Sequence, residues 1–154
     1  RSSSLTNRLG VTAELGLSNY LTGADDWQAF VVPTRFQNVF LLGSGPIPPN
    51  APELLSSDRL QKIVQSTHPE YDHVLIDAPP VLGLADAPLI SKAVEGSVFV
   101  VEAKKVPLQV VRDGINRLRT VRSPIIGGLV TKLSARDGRY GYGYGYGAYG
   151  YGYG

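Results

Sequence analysis

Apolar runs and amphipathic stretches alternate along the first 135 of 154 residues, the order expected of parallel strands joined by crossover helices. This alternation predicts an α/β fold: a mostly parallel sheet with helices on both faces. Strands are expected at Val39–Leu42, Val74–Ile76, Ser97–Glu102 and Ile125–Val130. Val74–Ile76 is continuously apolar rather than alternating, as a strand covered on both faces should be, and is placed at the sheet centre. A helix is expected after the glycine-rich turn GSGPIPPN, with Pro52 in its first turn and Glu53 near its start. The next runs from Ser57 or Asp58 to about Ser66, with Leu60, Ile63 and Val64 inward. Asp86 is expected to cap a helix reaching Val94, and Leu108, Val111, Ile115 and Leu118 form one helical stripe.

From about Arg136 the periodicity stops. Tyr140 to Gly154 reads YGYGYGYGAYGYGYG, which holds seven of the nine tyrosines. Glycine loses the most backbone entropy on ordering, and tyrosines spaced by glycine bury too little surface to offset it, so residues 136–154 are expected to form a flexible tail on a 1–135 domain. A net charge of +2 does not argue for nucleic acid, and the basic face of Arg112, Arg117, Arg119 and Arg122 reads as a solvated helix surface. With no cysteine, disulfides and thiolate metal sites are excluded, which suits a reducing compartment. No apolar run approaches the roughly 18 residues of a membrane span, and RSSSLTNRLG is no signal segment, so the chain is not expected to cross a membrane.

The chemistry of the domain centres on Val74-Leu75-Ile76-Asp77-Ala78-Pro79-Pro80. In open α/β sheets ligands gather beyond the carboxyl ends of strands, where Asp77 would stand. A magnesium ion bridging phosphates needs one or two carboxylates plus water, and Asp77 suits that task; the bland alternative is that it caps a loop. The two prolines stiffen the following loop and remove backbone donors.

These residues resemble the bacterial tyrosine kinases of capsule and exopolysaccharide synthesis, whose cytoplasmic domain is related to the MinD and ParA group of P-loop ATPases. The resemblance covers nearly the whole chain. It rests on Gly16-Leu17-Ser18-Asn19-Tyr20-Leu21-Thr22-Gly23, on Gly45-Pro46-Ile47-Pro48-Pro49-Asn50-Ala51-Pro52-Glu53-Leu54-Leu55, on Tyr71 to Pro80, and on the tyrosine-rich tail. It implies a P-loop-like fold and an enzyme that transfers the γ-phosphoryl of ATP, with Mg²⁺, to tail tyrosines Tyr140, Tyr142, Tyr144, Tyr146, Tyr149, Tyr151 and Tyr153 of its own or a neighbouring subunit. Asp77 would be the Walker B aspartate, serving magnesium and helping to accept the phenol proton. The same resemblance implies a ring of like subunits at the cytoplasmic face of the bacterial inner membrane. Its further partners would be a membrane polysaccharide co-polymerase, fused or separate, and a tyrosine phosphatase. Such a system would regulate polymer assembly and export.

The sequence also departs from that family's pattern. No Gly-x-x-x-x-Gly-Lys-Ser/Thr is present, nor the strand ending in Asp-x-Asp with its arginine pair, so the chain reads as cut at its amino side and is expected to bind ATP poorly as written. At Val130-Thr131-Lys132 the family's adenine-facing asparagine is absent; Thr131 and Lys132 are the candidate nucleotide contacts, a hydroxyl reading the base less completely than an amide. Lys104 and Lys105 could face phosphates or simply be solvated. His68 and His73 have no partner at a motif spacing and are read as non-catalytic, and Trp27 as core. Two other functions stay open: a MinD or ParA type ATPase, and a degenerate scaffold carrying an adhesive Gly-Tyr tail.

Overall fold

The computed structural model describes residues 4–133. The expected tail and the 135/136 boundary lie outside the described residues. Two short helices, α1 (Ser4–Leu9) and α2 (Leu17–Leu21), and a 3-10 turn (Gln28–Phe30) lead into β1 (Val31–Pro33) and β2 (Phe40–Leu42). Then come α3 (Ala51–Leu55), α4 (Asp58–Ser66), α5 (Asp86–Ser91), β3 (Ser97–Glu102), α6 (Leu108–Thr120) and β4 (Ile125–Thr131). No described helix is long and apolar enough to cross a membrane.

Two core-building regions follow from these elements. In the first, Tyr20, Leu21, Trp27, Leu60, Ile63 and Ile90 close a buried cluster, with Leu60 only 2% exposed. Ser57 precedes α4 as expected, and Leu60 and Ile63 fall on its buried side. Arg59 locks this cluster to α2: its Nε donates to the Tyr20 carbonyl at 2.9 Å, its terminal nitrogen donates to Ala24 O, and its guanidinium lies 4.2 Å over the Tyr20 ring. In the second region β3 and β4 pair in parallel, with a register shift between Ser97 and Val98. Helix α6 covers one face of the pair, so closely that a Cβ on Gly114 would stand 2.9 Å from Phe99 Cζ.

Three expectations need correction. Val74–Ile76 is not a strand among the described residues: it has no ladder partner, and Val74 is 47% and Leu75 94% exposed. A central strand exists only by virtue of neighbours on both edges, and the described residues supply none here. Phe40–Leu42 is a strand, but antiparallel to Val31–Pro33, a short partner that has too few residues to show a period. Finally, Asp86 is the first helical residue and Ala85 the N-cap, with no side-chain cap bond, and the helix ends at Ser91 rather than Val94. An acid in the first turn favours the positive helix end without accepting a capping hydrogen bond.

Candidate functional site

Two of the segments singled out in the sequence meet face to face. Backbone N–H groups of Leu17 and Ser18 donate to the carbonyls of Gly43 and Ser44 at 2.8 and 3.0 Å, while Gly16 N donates to Asn19 Oδ1 at 2.9 Å. The approach is too close for a side chain: a Cβ on Gly16 would lie 1.9 Å from Gly43 O. Gly45, at φ +70°, takes a left-handed turn, and a Cβ there would lie 2.4 Å from Ser18 Oγ. The Gly16–Asn19 run and the glycine-rich turn are therefore one packed unit. Trp27 lies in the core it helps to close, 8% exposed.

The third segment, Tyr71 to Pro80, borders a cleft of about 1100 Å³. Its start is fixed by aromatic contacts, with the Tyr71 ring centroid 6.3 Å from that of Trp27 and 5.8 Å from that of Phe40. The loop beyond its end is held by Arg117, which reaches from α6 to donate to the Leu84 carbonyl at 2.9 Å. This corrects the reading of Arg117 as a purely solvated residue. Between these two anchors, residues 72 to 80 make no backbone–backbone hydrogen bond to another described residue outside the turn that begins there.

Asp77 is exposed on the cleft wall, and its carboxylate makes no hydrogen bond or ion pair with another described residue. Among the described residues no three His, Cys, Asp or Glu side chains gather into a metal-holding group. A single carboxylate nevertheless fits magnesium, which keeps most of its water and takes phosphate oxygens as ligands. Asp77 has the donor chemistry for that ion and is not committed elsewhere.

Thr131, the last residue of β4, and Lys132 just beyond it are outside the lining of the cleft that Asp77 borders. Thr131 is half-buried and its Oγ1 donates to Val101 O at 3.4 Å, leaving its oxygen able to accept. Lys132, at φ 57°, turns its Nζ to Glu102 Oε1 at 3.0 Å; Lys105 Nζ meets Glu102 Oε2 at 3.1 Å. Hydrogen bonds from Lys132, then Lys105, hold the Glu102 carboxyl below the usual glutamate range. Glu102 also lines the cleft, so it links the Asp77 wall to the strand-end lysines. Sequence reasoning did not single out Glu102 for a role at the site. The available signal was its place as the last residue of an apolar strand, beside two lysines. His68 lies exposed, 3.7 Å from Glu95, and His73 is exposed on the cleft wall.

No protein-family model matches the chain. Individual proteins do. It is 32% identical over 128 residues to the tyrosine-protein kinase YwqD of Bacillus subtilis, a match covering 82% of this chain and 54% of that protein. To the tyrosine-protein kinase CpsD of Streptococcus agalactiae it is 28% identical over 126 residues, covering 82% and 54%. The chain thus spans about half the length of these relatives. The kinase domain of the Escherichia coli tyrosine kinase ETK superposes with a TM-score of 0.77 at 28% identity, covering 99% of this chain and 56% of that one.

Proposed function

This chain is a homologue of the bacterial tyrosine kinases and shares the fold of their kinase domains, and from that premise we propose that it is the part of a protein-tyrosine autokinase that carries the magnesium aspartate and the acceptor tail. The observation that carries the reading is Asp77: a carboxylate with no partner among the described residues, at the end of an apolar run, exposed on the cleft wall. The seven phenols of the tail supply acceptors of the right chemistry.

In this reading Asp77 would hold magnesium, and one of its carboxylate oxygens would take the phenol proton as the tyrosine oxygen bonds to the γ-phosphorus and the bond to the departing ADP breaks. Magnesium, when bound with ATP, neutralises charge on the phosphates and on the transferred group. Thr131 offers its hydroxyl oxygen to the base, and Glu102 keeps the Lys132 and Lys105 ammonium groups at the strand ends. Positioning and electrostatics supply most of phosphoryl-transfer catalysis, so few residues need special reactivity. The partners proposed are like subunits in a ring, each tail reaching a neighbour, and a membrane polysaccharide co-polymerase at the cytoplasmic face of the inner membrane. Each phosphate adds roughly −1.5 to −2 of charge, so a modified tail would repel its neighbours and favour separation of the ring.

The test is mass spectrometry of the protein made in its own cell. Trypsin cleaves after Arg139 and releases Tyr140 to Gly154 whole. A ladder of phosphorylated tail peptides is expected. An unmodified tail under conditions of active polysaccharide export would sink the reading and favour the scaffold.

A further inference from the structure

Strand β4 has one paired edge and one open edge: among the described residues its only ladder is the one to β3. An open edge is a template for another strand unless charge, proline or a bulge guards it. Beyond the register shift, residues Gly127 to Thr131 carry no charge and no proline, and Gly127 and Gly128 leave the backbone bare. Beside them lies a groove of about 510 Å³, lined by Val111, Ile115 and Arg119 of α6 and by Gly128 and Val130 of the strand. Gly128 and Val130 are the register partners of Phe99 and Val101, so they share the face on which α6 rests against Phe99. The helix leaves that half of the face open, and Val130 is 53% exposed. The Arg119 guanidinium makes no hydrogen bond or ion pair with another described residue.

We propose that the chain's own segment Tyr140–Gly147 docks here as an added strand, antiparallel to β4, with its tyrosines in the groove. Tyrosine and glycine alternate without a break over this segment, and in an extended strand that period places Tyr140, Tyr142, Tyr144 and Tyr146 on one face and no side chain on the other. Such a strand suits a groove lying on one face of the sheet, where flat rings gain contact and a guanidinium is free to lie over a phenol. The segment also starts close by. β4 ends at Thr131, Lys132 at φ 57° turns the chain, and residues 132–139 include Asp137-Gly138, a pair that favours a reversal. A chain that reverses after β4 and returns along its open edge runs antiparallel to it, and the short connection holds the segment at high effective concentration. At Ala148 the alternation changes phase, so Tyr149, Tyr151 and Tyr153 leave the groove. Docking itself needs no phosphate transfer. Its consequence rests on the kinase reading: four phenols are withheld and three are offered, so a subunit stores its proximal tyrosines until the strand detaches.

The test is hydrogen exchange of the protein made in its own cell and treated with a tyrosine phosphatase, set against a variant that ends at Arg139. With the tail present, exchange at Gly127 to Val130 should be at least about tenfold slower. Tyr140→Ser, Tyr142→Ser, Tyr144→Ser and Tyr146→Ser combined should abolish that protection, as should Val130→Lys, at a side chain already exposed. Tyr149→Ser, Tyr151→Ser and Tyr153→Ser combined should leave it in place. Asp77→Asn should be protected like the wild type, which separates a failure of docking from a failure of the kinase reading. Docking is overturned by equal exchange with and without the tail, or by protection indifferent to the first four tyrosines. Protection that fades on dilution, the mark of a tail donated by a second copy, overturns it equally. For the consequence, tail peptides taken early in phosphorylation should carry at least about tenfold more phosphate on Tyr149, Tyr151 and Tyr153 than on the first four, in proportion to how seldom the strand detaches. Equal occupancy of the two groups overturns the withholding.

Discussion

The two core-building regions of this molecule are both made from apolar sequence and end in different states. Around Tyr20, Trp27, Leu60 and Ile63 the apolar side chains cover one another, and an arginine fastens the carbonyls at the rim. Around β3 and β4, Val98, Val100, Ile126, Leu129 and Val130 are each more than half exposed, although their strands are well paired with each other. The difference is one of layers. The first region draws all the neighbours its core needs from helices and short strands between Leu17 and Ala93, whereas a parallel sheet needs further strands and cover on both faces before its side chains are buried.

The sharpest separation of the two regions comes from a substitution that should destroy activity and leave stability alone. Asp77→Asn in the protein made in its own cell should lower tail phosphorylation at least about a hundredfold, because magnesium is worth several kcal/mol of transition-state stabilisation. Its thermal midpoint should not move, since the carboxylate is exposed and unengaged. Next in size, Leu60→Ala should cost about 2 to 5 kcal/mol in urea unfolding, while Leu75→Ala, from the same residue type at 94% exposure, should stay within about 0.5 kcal/mol. Equal losses at the two leucines would break this contrast between the regions. Gly16→Ala tests the packed unit behind the first region, and a loss of about 1 to 3 kcal/mol is expected from forcing a methyl against the Gly43 carbonyl.

The smallest effect belongs to Glu102. Its folded carboxyl is held below the ordinary value by Lys132 and Lys105, so whatever stability this gives is present above the usual glutamate range, about pH 4.3, and is lost as pH falls through the lowered folded value. Glu102→Gln should remove that acid-side slope without altering the midpoint trend above pH 6. Added salt should shrink the wild-type slope, because these pairs face solvent. A variant whose acid profile matches wild type would separate Glu102 from the lysines.

Helix α4, strands β3 and β4 and helix α6 were legible because each carries its own period or an unbroken apolar run long enough to be read locally. The apolar character of Val74–Ile76 was legible too, and its state was not, since strandedness depends on what lies alongside. The tie of Arg117 to Leu84 and the capture of Lys132 by Glu102 join residues about thirty apart, and no spacing rule links such pairs. Asp77 was found because its signal is local: a carboxylate ending an apolar run before two prolines. The Gly16–Gly43 contact shows the intermediate case, in which both glycines stood out and only the fold shows that they face each other.

Gly114 is costly where it stands, since a glycine inside a helix gives up roughly 1 kcal/mol against alanine. What it provides is an index mark. The Phe99 ring rests against bare backbone at that one point of α6. Sliding the helix one turn along the strand in either direction would bring Val110 or Val111, or Leu118, under the ring instead. The helix can therefore seat on β3 at a single axial setting, which also fixes how far Arg117 reaches toward Leu84. A residue with no side chain, in the body of a helix, thereby sets the position of the loop that follows Asp77.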